Sequence, residues 1–323
     1  MPTVQTDDYP SGVSPYKRGN MGTSILFWHT NDSTSDVWLT YVVHTESLLY
    51  SLVLASGLLP HGVYIWAFQT ILSQPPAISG PLTNLLTLPS GNDAQWYSTV
   101  EQTEFTGQFF GNPKNKAADA TLLYAHGGAF VVGSSKMYSE FYRELVETYQ
   151  TVNKKNLDIL TVDYTLAPEA TLPRQIEQVF AAYKYLRKTR GENHPIFIDP
   201  STYPEGSWTD PANKDDIITL DFLRHGVKAC GPTAAASELD NSKLSTLGPA
   251  FITFGGKERL KDLILRFSDS FPERRIVELK EGLHNWLVKK ELAPPAKAVQ
   301  SQRNEYVKAL TSWMNDLADV KAS

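Results

Sequence analysis

From residue 116 onward, the chain alternates short apolar runs with longer segments of helical periodicity. Each apolar run is four or five residues long and is followed by a glycine or a polar residue, which is typical of a buried strand. We predict strands at residues 121–125, 158–162, 195–198, 250–254 and 275–279. Because strands and helices alternate, the pattern predicts an α/β fold with a mostly parallel sheet and flanking helices.

The segments between and after these runs predict helices at residues 138–150, 260–270 and 301–317. A further helix is predicted to begin near Pro173, because proline is well tolerated in the first helical turn. Five apolar residues recur along it at helical spacing, and we expect them to face the core: Ile176, Val179, Phe180, Tyr183 and Leu186.

The first 115 residues are different, because proline and glycine divide them into short pieces. We interpret residues 1–115 as an N-terminal arm with a lid or cap, and residues 116–323 as the main domain. Residues 47–92 contain no Asp, Glu, Lys or Arg. They include two apolar runs, 48–59 and 63–72, each shorter than the roughly 18–20 residues that a membrane-spanning helix needs.

Two interpretations of these runs stay open. They form cap or substrate-pocket helices packed on the main domain, or they contact a membrane through residues 47–72. In the second case, association with one membrane surface is favoured over a full span.

Composition and charge exclude several classes of function. A net charge of −5 argues against nucleic-acid binding, which usually requires a basic surface. The single cysteine, Cys230, excludes a disulfide framework and a cysteine-rich metal site, and the histidines other than His126 and His284 show no metal spacing, so no metal site is expected. Residues 1–20 are polar and are not a secretory signal peptide. We therefore expect an intracellular protein, in the cytoplasm or on the cytosolic or endoplasmic-reticulum membrane surface.

Two motifs suggest chemistry at the ends of the first two predicted strands. His126-Gly127-Gly128-Ala129-Phe130 follows the first strand, and Asp163-Tyr164-Thr165-Leu166-Ala167-Pro168-Glu169 follows the second. Glycines allow a backbone to approach a substrate closely. Fixed backbone N–H groups at such a place stabilise the negative oxygen that forms when an ester is cleaved.

These motifs resemble those of the hormone-sensitive-lipase branch of the α/β-hydrolases, over roughly residues 115–318. The resemblance implies an α/β-hydrolase fold and oxyanion-hole amides at Gly127 and Gly128. It also implies supporting roles for His126 and for Asp163, which would brace the glycine turn. The alternative for Asp163 is a carboxylate that caps a helix or turn.

Two C-terminal residues fit the same family pattern. His284 follows the last predicted strand and a glycine, where this family carries its general-base histidine. Glu258 lies in Gly255-Gly256-Lys257-Glu258-Arg259-Leu260, which resembles the segment that carries the family's acid. That carboxylate would orient His284 and stabilise its cation. Asp262 is the second candidate for the acid, and a solvated carboxylate at a helix N-terminus is the alternative for Glu258.

The nucleophile of the family has no counterpart in the sequence. Its serine belongs in a G-x-S-x-G elbow after a strand, but residues 195–198 run into Asp199-Pro200-Ser201-Thr202-Tyr203, and G-x-S-x-G occurs nowhere in the chain. The family pattern resumes at Ser207-Trp208-Thr209-Asp210, and only eight residues lie between Ile198 and Ser207. A crossover between parallel strands needs at least about 10–12 residues. The elbow strand–helix crossover is therefore missing, and the domain is predicted to be incomplete near residues 199–207.

Three explanations remain: the sequence lacks a segment that the working enzyme has, the protein is a pseudo-hydrolase that binds without turnover, or Ser201 is an irregular nucleophile. The first and third predict a serine carboxylic-ester hydrolase of the esterase, lipase or acetylhydrolase type. The uncharged segment 47–92 suggests an apolar substrate. The resemblance implies a short-chain or acetyl ester of a lipid, a sterol or a secondary metabolite. The second predicts a non-catalytic protein that binds a small apolar ligand.

Overall fold

The computed structural model describes most of the chain from residue 61 onward. The described residues are 61–86, 93–112, 117–170, 172–191, 194, 196–199, 213–214, 216–230, 249–269 and 271–322. Their strands are β1 (Tyr97–Glu101), β2 (Thr106–Phe110), β3 (Ala120–Ala125), β4 (Leu157–Val162), β5 (Ile196–Asp199), β6 (Ala250–Gly255) and β7 (Arg274–Leu279). Their helices are α1 (His61–Leu72), α2 (Pro76–Leu86), α3 (Ser139–Asn153), α4 (Leu172–Arg190), α5 (Leu220–Cys230), α6 (Lys261–Ser268) and α7 (Lys297–Ala322), with short 3₁₀ helices at Ala94–Trp96 and Lys290–Leu292.

Strands β1 to β5 form a mixed sheet in the spatial order β1-β2-β4-β3-β5. β2 pairs antiparallel with both β1 and β4, whereas β3 pairs in parallel with both β4 and β5. β6 and β7 pair in parallel as a two-stranded sheet. The five predicted strands are all present and each has a parallel neighbour, so the predicted α/β fold is confirmed. The β1–β2 hairpin was not predicted, because each of its strands buries only one or two residues.

The main sheet is covered on both faces, as β3 shows most clearly. Leu122 and Tyr124 join a core cluster with residues of α3 and α7, whereas Leu123 joins a cluster with residues of α4. Each large apolar side chain buried in this way stabilises the fold by about 1.5–3 kcal/mol. Because β3 and β4 are parallel and held from both sides, their carboxyl ends lie at one rigid edge, where both sequence motifs begin.

Helix α4 turns a different face to the sheet from the one that its apolar spacing predicts. Leu186 is fully buried as expected, but Ile176 and Phe180 are 39% and 60% exposed. The buried face includes Gln175, whose amide donates to the carbonyl oxygen of Thr165 at 2.8 Å. The expectation for Ile176 and Phe180 is therefore wrong, because hydrogen bonding to a neighbouring loop places a glutamine on the inner face.

Helix α1 contributes to a third core cluster. Its Ile65, Phe68 and Leu72 are buried together with Val131, which follows the glycine turn, and with Leu283, which precedes His284. The second of the two uncharged apolar runs, residues 63–72, therefore packs against residues beside the glycine turn and beside His284. These residues are up to more than two hundred positions apart in the chain.

The segment that suggested membrane contact is described only in part. Residues 48–59 lie outside the described residues, and residues 63–72 fall within α1. On α1, Val63 and Trp66 are 43% and 52% exposed. Among the helices that the structure describes, none is both long enough and apolar enough to cross a bilayer.

Candidate active site

The glycine turn after β3 has a backbone that only glycine can adopt without strain at its second position. Gly128 has a φ of 119°, and a Cβ there would lie 2.0 Å from the carbonyl oxygen of Val132. Ala129 and Phe130 follow with φ values of 50° and 61°. Non-glycine residues in this region cost about 1–3 kcal/mol each, so the surrounding contacts must hold the turn in place.

His126 fixes the start of this turn from inside the protein. Its ring is buried and stacks on Tyr164, with ring centroids 4.2 Å apart. Its Nδ1 lies 2.8 Å from the carbonyl oxygen of Gly127, which can only accept, so Nδ1 carries the proton. The Tyr164 hydroxyl donates to the His126 carbonyl oxygen at 2.5 Å. Burial lowers the pKa of His126 to about 4, which keeps the ring neutral at physiological pH.

Asp163 holds the far end of the turn. One carboxylate oxygen accepts from the Ser135 backbone N–H and the other from the Ser135 hydroxyl, both at 2.8 Å. The same motif reaches the middle of the turn, because Ala167 donates its N–H to the Phe130 carbonyl oxygen at 2.8 Å. Gln175 donates to that oxygen as well, at 3.1 Å. The motif at 163–169 therefore holds the loop that the motif at 126–130 begins.

Glu258 and His284 form a buried acid–base pair after β6 and β7. The Glu258 side chain is 2% exposed, and its Oε1 is hydrogen-bonded to Nδ1 of His284. Its Oε2 accepts from the Gly255 N–H at 2.8 Å. The His284 side chain keeps 22% of its surface exposed. Asp262, the second candidate for the acid, is an exposed residue in the first turn of α6.

The pair changes how His284 titrates. Burial by itself lowers the pKa of a histidine, but the Glu258 carboxylate, which is hydrogen-bonded to the ring, and the nearby Asp216 carboxylate together hold the pKa of His284 above its ordinary value. Because Glu258 occupies Nδ1, the other ring nitrogen, Nε2, is the one that can exchange a proton with a substrate or a nucleophile.

A second buried carboxylate, Asp216, lies behind this pair. Its Oδ1 accepts from the backbone N–H of His284 at 2.9 Å, and its Oδ2 accepts from the backbone N–H of Arg259 at 2.8 Å. Asp216 is fully buried, and burial raises its pKa to about 6. The sequence gives no local signal for it, because it lies in a Pro- and Asp-rich segment that we interpret as a loop.

Tyr138 connects the two halves of the site. Its hydroxyl accepts from the side-chain amide of Asn285 at 3.2 Å, and the position of a Cβ on Gly127 would lie 3.2 Å from the same oxygen. Asn285, which directly follows His284, has a φ of 63°. The glycine turn and the histidine loop therefore meet at one hydroxyl group.

The structure thus brings the predicted residues together in two groups. His126, Gly127, Gly128 and Asp163 belong to one, Glu258 and His284 to the other. Ser201 lies outside the described residues. Within the described ranges, no cluster of three or more His, Cys, Asp or Glu side chains is arranged to hold a metal ion.

Comparison with known proteins identifies the fold. Residues 122–218 match the model of a family with the α/β-hydrolase fold. A thermostable esterase from Pseudomonas putida ECU1011 superposes with a TM-score of 0.61 at 14% identity, covering 77% of this chain and 96% of the esterase. The protein EstE5, in a crystal soaked with p-nitrophenyl butyrate, gives 0.58 at 17% identity, with 77% and 98% covered.

An esterase from the bacterial hormone-sensitive lipase family gives a TM-score of 0.56 at 16% identity, covering 76% of this chain and 97% of the esterase. Residues 122–218, which match the family model, contain the motifs at 126–130 and 163–169 on which the resemblance rests. The chain therefore has the α/β-hydrolase fold that its motifs predict, and this fold is similar to that of an esterase from the bacterial hormone-sensitive lipase family.

Proposed function

We propose that this protein is a serine carboxylic-ester hydrolase. The observation that carries the proposal is the buried Glu258 carboxylate, which is hydrogen-bonded to Nδ1 of His284. Asn285, the residue after His284, contacts Tyr138 beside the glycine turn. A carboxylate in this position orients a histidine and stabilises its cation, so that Nε2 can accept a proton from a hydroxyl nucleophile. The structural likeness to esterases supports the same chemistry.

In this proposal, a serine attacks the acyl carbon of the ester and His284 moves the proton from the nucleophile to the leaving group. The backbone N–H groups of Gly127 and Gly128 stabilise the oxyanion. Removal of one such donor typically costs about 2.7–4 kcal/mol of transition-state stabilisation. His126 and Asp163 hold the turn that carries these amides. The reaction requires no metal and no organic cofactor.

The nucleophile is proposed to lie on a strand–helix segment that this sequence lacks after β5. Two observations support a gap at this place. Among the described strands, β5 pairs only with β3, and β6 pairs only with β7, so the two sheets are not joined. On α4, Ile176 and Phe180 are exposed although they are apolar. A strand and a helix inserted between β5 and β6 would extend the sheet and add apolar surface beside it.

The substrate is proposed to be an apolar ester, such as that of a lipid, a sterol or a secondary metabolite, with acetyl esters among the candidates. The support is the apolar cluster that adjoins the base: Ile65 and Phe68 of α1 are buried with Leu283, the residue before His284. Apolar surroundings beside the base favour an acyl or alcohol group without charge.

Hydrolysis of p-nitrophenyl acetate and p-nitrophenyl butyrate tests the proposal. In a form of the protein that includes the missing strand–helix segment, or in this chain if Ser201 is the nucleophile, we expect turnover that rises with pH through the His284 pKa, above the ordinary histidine range, because the base must be neutral. His284→Ala should abolish this activity, while Asp262→Asn should leave it unchanged. Absence of turnover in a folded form that includes the segment would contradict the proposal, whereas absence in this chain alone would exclude Ser201 as the nucleophile.

Labelling with a fluorophosphonate probe, followed by peptide mass spectrometry, locates the nucleophile. A label on Ser201 that is lost in His284→Ala would assign Ser201 as an irregular nucleophile. A label on another serine, lost in the same variant, would assign that serine instead. Sequencing of the transcript around codons 198–207 tests the missing segment directly, because an alternative form that encodes G-x-S-x-G is expected there.

The absence of G-x-S-x-G favours a second candidate function, a pseudo-hydrolase that binds a small apolar ligand. It predicts saturable binding of an apolar ester, for example p-nitrophenyl butyrate measured by calorimetry, without hydrolysis and without a fluorophosphonate label. Hydrolysis that depends on His284 would contradict it.

A further inference from the structure

Asp216 joins the loop of the candidate acid to the loop of the candidate base. Its two carboxylate oxygens accept from the backbone N–H groups of Arg259, which follows Glu258, and of His284 itself. Those two donors lie 43 and 68 residues further along the chain. A single rigid carboxylate therefore fixes where both loops stand relative to each other, and with them the Glu258–His284 pair.

The backbone of Asp216 is also fully engaged. Its N–H donates to the carbonyl oxygen of Asn213 at 3.1 Å, and its carbonyl oxygen accepts from the side-chain amide of Gln69 at 2.8 Å. Gln69 belongs to α1, which packs on the same loop. With 0% of its surface exposed, three hydrogen bonds to three other segments and a fourth within its own, Asp216 has little freedom to move.

We propose that Asp216 is a positioning residue for the acid–base pair, which sets the geometry of Glu258 and His284 through the two backbone amides and adds a second negative charge behind the imidazole. This proposal rests on the proposed roles of Glu258 and His284. Asp216 does not touch the substrate in this arrangement, so it acts only through the two loops.

The charges around Asp216 explain why a carboxylate suits this place. The groups that face it are the His284 imidazole, which favours its charged form, and the Glu258 carboxylate, which opposes it. The Arg259 side chain is directed to the Asn213 carbonyl oxygen, to which its Nε donates at 3.1 Å. The negative charge of Asp216 in turn favours the protonated form of His284, in the same direction as Glu258 does.

The variant Asp216→Asn tests the proposal with little change in size. One carboxylate oxygen becomes an amide NH₂, which would face one of the two backbone N–H groups, so one loop loses its hydrogen bond. We expect the His284 pKa, followed by ¹H–¹⁵N spectroscopy of the imidazole, to fall. Where the protein hydrolyses p-nitrophenyl butyrate, we expect kcat to fall on the order of 10–10²-fold with little change in KM, because misplacement of a reacting group by about 1 Å has effects of this size.

The matched control is Asp221→Asn, at an acidic residue in the first turn of α5 whose side chain is 62% exposed. It should change neither the His284 pKa nor kcat. A folded Asp216→Asn protein with an unchanged His284 pKa would overturn the proposal, even if its melting temperature falls. The His284 pKa does not depend on turnover, so a wild type without esterase activity would count against the proposed function and not against this inference.

If Asp216→Asn does not fold, the wild type still provides a test. The Asp216 carboxyl carbon and the backbone amide of Arg259 should shift with one common midpoint as the pH is varied, because both report the titration of the same carboxylate. The His284 amide should show that midpoint in addition to the midpoint of its own imidazole. An Arg259 amide that does not follow the Asp216 carboxyl would overturn the proposal.

Discussion

Each half of the candidate site depends on one carboxylate, and the two carboxylates act differently. Both carboxylate oxygens of Asp163 accept hydrogen bonds from a single residue, Ser135, at the end of the glycine turn. The two carboxylate oxygens of Asp216 accept hydrogen bonds from two loops that are far apart in sequence, at Arg259 and His284. Asp163 therefore stabilises one local turn, whereas Asp216 sets a distance between two separate pieces of the chain.

This difference indicates how each half can fail. The glycine turn depends on backbone shape, so a substitution acts there mainly through steric strain. The acid–base half depends on buried charges, so a substitution acts there through protonation and the hydrogen bonds of charged groups, which contribute roughly 1.5–3 kcal/mol each. Predictions for single residues can separate these two behaviours.

The largest effect is expected at Glu258. In Glu258→Gln, the side chain keeps its size but loses the charge that stabilises protonated His284, and its NH₂ group must face either the Gly255 N–H or Nδ1 of His284. We expect the His284 pKa to fall and any ester hydrolysis to drop on the order of 10³-fold or more, as for other carboxylate–histidine pairs. Kinetics and imidazole spectroscopy measure both. Asp262→Asn is the control, and an equal loss in that variant would contradict the assignment of the acid.

The next largest effect is expected at Gly128, and it should be steric. Gly128→Ala places a Cβ 2.0 Å from the Val132 carbonyl oxygen, so the turn must change shape. We expect the free energy of unfolding to fall by about 3 kcal/mol or more, with the His284 pKa unchanged. Gly191→Ala is the matched control, because Gly191 has a φ of 93° but open space around it, and it should cost only about 1 kcal/mol. Equal losses at the two glycines would contradict the steric explanation.

A pH-dependent effect is expected at His126, which belongs to the glycine-turn half of the site, where the other effects come from backbone conformation. Its folded-state pKa of about 4 lies below the ordinary 6.5, so the unfolded chain binds the extra proton between these values and stability falls as the pH drops from 6.5 to 4. The loss amounts to about 3 kcal/mol. His126→Asn keeps an N–H donor near the Gly127 carbonyl oxygen but cannot titrate.

Urea unfolding of both proteins at pH 7 and pH 4.5 measures this contribution. The wild type should lose about 2–3 kcal/mol more than His126→Asn over that interval. Asp216 has the opposite sign, since its raised pKa makes stability fall as the pH rises from about 4 to 6, but it is present in both proteins and cancels. Equal pH dependence in the two proteins would show that His126 is not buried in its neutral form.

The smallest effect is expected at Asp163. Asp163→Ala removes two acceptors from Ser135, and we expect the free energy of unfolding to fall by about 2 kcal/mol. Ser135→Ala removes only the hydroxyl and should cost about 1 kcal/mol. Neither variant should shift the His284 pKa, in contrast to Asp216→Asn. A shift of that pKa in Asp163→Ala would remove the distinction between the two carboxylates.

The sequence predicts the parts of the site that follow strands directly. His126, Asp163 and His284 each come immediately or shortly after an apolar run, and Glu258 follows a glycine pair after another. Parallel strands place such residues at one edge of a sheet. Position relative to a strand is a local property, so one sequence is enough to predict it.

Asp216 and Gln175 could not be predicted in this way. Asp216 acts through amides 43 and 68 residues away, and nothing in its own segment marks those partners. Gln175 is buried because it donates to the carbonyl oxygens of Phe130 and Thr165, whereas apolar periodicity assigns the core face to Ile176 and Phe180. In both cases, a polar side chain satisfies a backbone group that only the tertiary fold brings near.

The hydrogen bonds of α1 matter for anyone who redesigns this scaffold. Gln69 donates to the Asp216 carbonyl oxygen, and the hydroxyl groups of Ser73 and Thr219 lie 2.8 Å apart. An exchange of α1 for a foreign helix would therefore also disturb the segment that holds the His284 amide. A chimera that transfers residues 61–73 together with residues 213–219 would keep these bonds intact.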